Sequence, residues 1–544
     1  AVMINVKRYI LACTCVLLGA GLSAQTFNET VEVTNDLLVD MSGSERKTVE
    51  MEIPDSLSEF RLNFDYSVFS KPYKGAYEFT PYNVLFRPIS GQERRPLLYL
   101  DAGAGFAFNP TLSAVLTPRI SDKFMMSVYQ DFDGYVGQFN GNGGHYDGYE
   151  LAERIGAQAW AWFKPVELSL NTFYRGMWTK DFALSGSPFH TFAIQADLTS
   201  KGHEVRSLHY GLTVDYRFSG DYDMPVALRE NALEVRGYLT PVMLGSFKHR
   251  FTLFYDMGVD SYRGADENGV KYLKVNPKMT FLWKFLTLDA GLKATGYRFD
   301  DRTSSLRLYP DLNVSIPLLK DRMEVVLGVT GGDKSNSYFT YKSENPHFTM
   351  DYFDDMRNTF KASKEFVNVF VGLSGSIGTR FQYKMTGGYS DRGNAPLYAL
   401  AAPASNRVNV VLSRYYSSYL KGEWIWQSRS WDINSYAKYQ KVSVEGDADV
   451  FTPADWNVYI DVTYNKLRRI FGGVSLEYMG SRDSRTMGSR PAYWDLGIHA
   501  DYKIDSRMMV WLRGGNLLNQ TVELVPFTSH RLPYLTAGLR FNIY

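Results

Sequence analysis

Between Trp456 and Asn465 the chain alternates without a break. Trp456, Val458, Ile460, Val462 and Tyr464 fall on one face, and Asn457, Tyr459, Asp461, Thr463 and Asn465 on the other. Strict period two is the mark of a strand with one face in an apolar medium. The pattern returns in Val474, Leu476 and Tyr478, in Trp494 to Tyr502, and in Leu535, Ala537, Leu539, Phe541 and Ile543. From about Leu97 onward such segments follow one another, each roughly ten to fifteen residues long. Globular strands run to ~5–6 residues, whereas ~9–11 are needed to cross a tilted barrel wall.

The connections alternate too. Short ones include Lys164-Pro165, Lys284-Phe285 and Ser428–Ser430, and long ones include Asn140–Tyr149, Asp333–Lys364, Arg392–Asn406 and Ser481–Pro491. Periplasmic turns and extracellular loops of outer-membrane barrels alternate in this way, and aromatic residues near segment ends suit the girdles of such barrels. The pattern predicts an all-β chain: a transmembrane antiparallel β-barrel of about 22 strands over residues 97–544, with 20 as the alternative count. The first two strands are short and joined at Asn109-Pro110. In lipid every backbone N–H and C=O must be paired internally, so the last strand must pair with the first.

Composition agrees. Hydrophobic residues make up 45% of the chain and aromatics 15%. After the first 25 residues no apolar run approaches the ~20 residues of a spanning helix. A formal net charge of +1 gives no electrostatic reason to expect nucleic acid as a partner.

Ahead of the barrel the chain changes character. Lys7 and Arg8, the uncharged stretch Tyr9–Leu18 and the small residues before Gln25 predict a signal peptide over 1–24. Cys13 and Cys15 would leave with it, so the mature chain is expected to hold no thiol chemistry. Residues 25–96 are read as a periplasmic or lumen-occluding segment, polar over 25–58 and rich in Tyr and Pro over Lys71–Tyr82.

The long loop Asp333–Lys364 carries Asp351, Asp354 and Asp355, in a stretch, Met350–Arg357, that could form a helical turn capping the barrel mouth. These carboxylates lack the spacing of a calcium loop, and solvated charge is the plainer reading. No zinc helix, nucleophile elbow or phosphate loop is present among the motifs searched. His499, between Asp495 and Asp501 on the polar face, is the best acid–base candidate, weighed against an ordinary hydrated lumen. The sequence therefore predicts no enzyme, no metal and no cofactor.

The run Arg513-Gly514-Gly515-Asn516-Leu517-Leu518-Asn519, followed by a loop and a final strand, resembles the end of TonB-dependent outer-membrane receptors. The terminal aromatic Tyr544 fits the same group, although it is out of phase with Leu535–Ile543. The resemblance covers the barrel. It implies import of a scarce solute driven by TonB, with Glu29-Thr30-Val31-Glu32-Val33-Thr34 as the candidate TonB box, a strand that would pair with its partner by β-augmentation. The chain departs from the family where the plug domain should be, because residues 25–96 are too few for it.

Two functions follow. One is passage or uptake of a solute across the outer membrane, with a surface lipoprotein or TonB as partner. The alternative is a non-transporting structural subunit of an outer-membrane complex for envelope assembly or secretion. A barrel of this size leaves a wide lumen, so either reading requires something to fill it. Outer-membrane lipids are the surroundings in both.

Overall fold

The computed structural model describes residues 96–544, apart from 119, 142–143, 181–186, 202–207, 222–227, 242–248, 265–266, 300–302, 320–321, 349, 351–358, 401–407, 447–449, 467–468, 485–487 and 523–529. The signal peptide, the segment 25–95 with its candidate TonB box Glu29–Thr34, and the loop carboxylates Asp351, Asp354 and Asp355 lie outside the described residues.

Twenty-two antiparallel strands form one closed sheet. In order they are β1 (Leu98–Phe106), β2 (Thr111–Leu116), β3 (Phe124–Gly141), β4 (Gly144–Trp162), β5 (Val166–Thr179), β6 (Ser187–Ser200), β7 (His209–Asp221) and β8 (Arg229–Thr240). Next come β9 (His249–Arg263), β10 (Glu267–Leu282), β11 (Thr287–Phe299), β12 (Thr303–Leu319), β13 (Met323–Lys334), β14 (Ser363–Ile377) and β15 (Phe381–Leu400). The ring is completed by β16 (Val408–Gln427), β17 (Trp431–Val444), β18 (Trp456–Lys466), β19 (Ile470–Met479), β20 (Tyr493–Lys503), β21 (Met508–Gly515) and β22 (Tyr534–Ile543). Each strand pairs with its chain neighbours, and β1 pairs with β22 in the register Leu98↔Ile543 through Phe106↔Leu535. Among the described residues the ring leaves no sheet edge open to lipid, as the energetics of unpaired backbone in hydrocarbon demand.

The two faces of the wall differ as the alternation predicted. Leu273, Leu292, Leu312, Leu327 and Val371, on successive strands, are exposed on the outside. Asp256, Lys274, Lys278 and Asp311 line the inside in ion pairs of 2.8 Å (Lys274–Asp256) and 3.4 Å (Lys278–Asp311). A closed barrel with an apolar exterior and a charged interior is an outer-membrane protein. The short turns mark the periplasmic end, where both the start of β1 and the end of β22 lie.

Closure has a specific device. The Trp511 indole on β21 lies flat across the seam, where a Cβ on Gly103 of β1 or Gly538 of β22 would collide with the ring. Its Nε1 donates to Asp101, which also holds Arg540 at 2.9 Å. Glycine is required at both positions because the ring occupies the space a side chain would fill.

Several strands run past the membrane. Asn140–Tyr149, read as a loop, is mostly the β3–β4 hairpin, and β15 continues through most of Arg392–Asn406. Above the lipid both faces meet water, so the alternation that identifies strands disappears while the backbone pairing continues.

Candidate functional site

Among the described loops, the connection between β13 and β14 does not project outward. Its described residues, 335–348, 350 and 359–362, fold into the mouth of the barrel. Ser337 starts the turn: its side chain accepts from the Thr340 N–H at 3.1 Å, capping a short helix, α1 (Tyr338–Glu344). A seven-residue helix is unstable alone, and packing supplies its stability. Tyr338, Tyr341 and Lys342 are fully buried. The sequence placed its helical turn at Met350–Arg357; the described helix is instead at Tyr338–Glu344, and 351–358 lie outside the described residues.

The helix is pinned by wall residues. Lys342 Nζ lies 3.1 Å from Asp221 Oδ2 at the outer end of β7, both groups shut off from solvent. The Tyr338 hydroxyl donates to the same oxygen at 3.1 Å. Lys342 also donates to the Pro346 carbonyl at 3.2 Å. On β8, Glu230 accepts from the Phe339 N–H at 2.8 Å and pairs with Arg217 at 3.4 Å. The Arg217 guanidinium covers the Phe339 ring at 4.3 Å. Burial, with Asp221 beside it, pushes the Tyr338 phenol well above its ordinary value. Burial does the same to Tyr341. Both stay protonated and serve as donors.

An aromatic stack supports the returning chain. Phe360 stacks on Tyr262 of β9 at 4.3 Å and 4°, and Tyr341 packs edge-on against Phe348 at 5.1 Å. His347 lies 3.8 Å from Glu150 of β4, and Glu150 is held in turn by Arg531 at 3.2 Å. On the other wall Tyr398 of β15 donates to Glu344 at 3.0 Å. Strands β4 and β15 stand half-way round the ring from each other. A loop that touches both crosses the opening.

The β15–β16 hairpin leans in to meet it. Register shifts between Arg392 and Ala395, with Asn394 at φ 50, form a bulge that bends the strand. Beyond the bulge Leu397 and Val408 are buried, and the Val408 N–H donates to the His347 carbonyl at 3.2 Å. The loop and the bent hairpin together close the described part of the mouth.

The remaining sequence candidates fall elsewhere. Gly514 and Gly515 end β21, and Asn516 to Asn519 make a tight turn at its outer end. Asn516 is buried with φ 48; its side chain donates to the carbonyls of Gln520 and Arg531 and accepts from the Gln520 N–H at 3.0 Å. Its own N–H donates to Asp495 at 2.9 Å. Leu517 and Leu518 are partly exposed. The motif is a structural knot that fixes a turn. His499 meets neither Asp495 nor Asp501 as its nearest carboxylate. Its ring lies over Gly473, where a Cβ would collide with it, and reaches Thr463 at 2.9 Å and Asp461 at 3.8 Å across two strands.

The residues sequence reasoning passed over are Lys342, Asp221, Glu230 and Tyr338. A signal was available: Tyr338, Phe339, Tyr341, Phe348 and Phe360 are too many aromatics for a loop in free solvent.

No protein-family model and no curated protein matches the chain. Solved structures do match. The FrpB iron transporter of Neisseria meningitidis aligns with TM-score 0.66 at 10% identity, over 83% of this chain and 81% of that one. The ferric-catecholate import receptor Fiu of E. coli K12 aligns with TM-score 0.64 at 8% identity, over 83% and 82%. The outer-membrane ferripyoverdine receptor of Pseudomonas aeruginosa aligns with TM-score 0.63 at 10% identity, over 83% and 72%. The chain has the fold of these outer-membrane receptors. At this identity the likeness is one of fold, and the resemblance read from Gly514–Asn519 holds at that level.

Proposed function

We propose that the protein is an outer-membrane barrel for passage or uptake of a solute, gated at the outer mouth by its own loop 335–362. The observation that carries the reading is the crossing of the opening by that loop, tied to opposite walls through Glu150 and Tyr398. The ties are side-chain contacts of a connecting loop, not strands of the sheet, so the closure can open without breaking the barrel. Structural neighbours described as iron and copper transporters support a transport role.

In this reading the inward loop obstructs the described part of the outer mouth. TonB coupling through Glu29–Thr34 is a further part of the proposal. Val31→Pro would remove a backbone donor from the pairing strand and should abolish binding of the TonB C-terminal domain.

The deciding experiment is planar-bilayer conductance of the full chain beside a variant with residues 337–360 replaced by a short Gly-Ser linker. Closed intact channels and large, stable openings of the variant support the gate. A variant that folds, by heat-modifiable migration, yet passes no current refutes it. That result would favour the structural-subunit reading.

A further inference from the structure

The two ends of the barrel differ in charge. The ten connections at the periplasmic end, from 117–123 to 504–507, hold fourteen Lys and Arg against four Asp and Glu. The eleven outer connections hold ten against fifteen. Every periplasmic connection carries at least one cation, so the positive charge runs round the whole rim. Exposed apolar side chains stand beside these cations: Phe163 next to Lys164, and Trp283 and Phe285 on either side of Lys284. Cations interleaved with aromatic rings at the edge of an apolar band match the headgroup layer of a bilayer.

One sector has a defined geometry. The Asn465 N–H donates to the Ser430 carbonyl at 2.7 Å, which sets the turn 428–430 beside the end of β18. Arg429 lies in that turn, and Lys466 and Arg469 flank the next one, where the Arg469 N–H donates to the Lys466 carbonyl at 3.2 Å. Lys466 continues the outward row Val458, Ile460, Val462 and Tyr464 of β18. All three cations are exposed, and among the described residues none has a carboxylate within ion-pair distance. Above them the rings of Trp431 and Tyr464 pack at 4.6 Å, 43% and 39% exposed on the lipid face. The rings offer a surface to an acyl chain, and the cations lie where that chain's headgroup would be. A protein partner would leave its footprint on one sector. Cations on every turn match a partner that surrounds the barrel, which is lipid.

We propose that the periplasmic rim selects anionic phospholipid of the phosphatidylglycerol type from the inner leaflet, with a preferred site at Arg429, Lys466 and Arg469 below the Trp431–Tyr464 pair. The lipid phosphate accepts from the cations, and an acyl chain lies along the rings. The outer end, where carboxylates outnumber cations, has no such preference. The inference does not depend on the transport reading.

Photolabelling of the full-length protein in nanodiscs of equal phosphatidylglycerol and phosphatidylcholine tests it, with a photoreactive acyl chain on one lipid or the other. Peptide mass spectrometry should find the peptides bearing Trp431 and Tyr464 labelled several-fold more by phosphatidylglycerol. Raising the salt concentration should shrink that preference in the parent, because exposed charges are screened. In Arg429→Gln/Lys466→Gln/Arg469→Gln the preference at these peptides should fall to about one, with heat-modifiable migration kept because the three side chains are exposed. Arg429→Lys/Arg469→Lys should retain it. Equal labelling of the parent by the two lipids overturns the proposal, as does a preference unchanged by salt or by the triple glutamine variant. So does a protein that is bound to this face in stoichiometric amount in mild-detergent membranes and excludes the lipid label.

Discussion

Lys342 and Asp221 lie 121 positions apart in the sequence and 3.1 Å apart in space, with side chains 1% and 0% exposed. A buried pair of this kind is weak evidence for net stability, but removing one partner strands the other's charge at a cost of about 3–5 kcal/mol. Lys342→Met should therefore release loop 335–362 while sparing the barrel. Limited proteolysis within the loop and single-channel openings should both increase. In Lys342→Met/Asp221→Leu the stranded charge is gone, and part of the closure should return. Equal behaviour of single and double variants would contradict the pair as the latch.

The Trp511 ring fills the space over Gly538 and Gly103 at the closing seam. Gly538→Val should force the indole aside, and overpacking of this sort costs about 1–3 kcal/mol. The temperature at which the folded band converts to the unfolded one on gels should fall. Adding Trp511→Leu should raise it again, although the donor to Asp101 is then missing. A Gly538→Val protein as heat-resistant as the parent would argue against the seam.

These two cases show what could be read from the chain and why. The strand count, the seam partners and the faces of β18, β20 and β22 follow from local period two, which Trp456–Asn465 displays without tertiary help. The pinned loop depends on contacts remote in sequence: nothing near Lys342 announces Asp221. Helix α1 is seven residues long, too short to show a helical period, and the wall residues it packs against, such as Phe189 and Tyr262, come from distant strands. Asn516 was legible as a motif and not as a mechanism, since its partners Asp495 and Arg531 come from other segments.

The Asn516 turn separates backbone from side-chain effects. Asn516→Gly keeps the left-handed conformation and loses the side-chain hydrogen bonds, each worth about 1 kcal/mol. Asn516→Ala loses both. Hydrogen-exchange protection at Gln520 should fall in the order parent, Gly, Ala. An alanine variant better protected than the glycine variant would show that the φ of 48 is not the constraint.

At the periplasmic turn between β20 and β21, Asp505 accepts from the N–H groups of Arg507 and Met508 at 2.6 and 2.8 Å. These bonds favour the carboxylate and hold it below its ordinary value of 3.8. A group depressed in the folded state contributes stability that is fully present above its unfolded value. That contribution is lost as pH falls through the folded one. The turn should therefore be tight at neutral pH and loosen only in acid, below about 4. Hydrogen exchange at Arg507 and Met508, corrected for intrinsic rates, should accelerate there in the parent. In Asp505→Ala it should be fast at every pH. A parent turn that loosens between pH 5 and 7 would place the controlling group elsewhere.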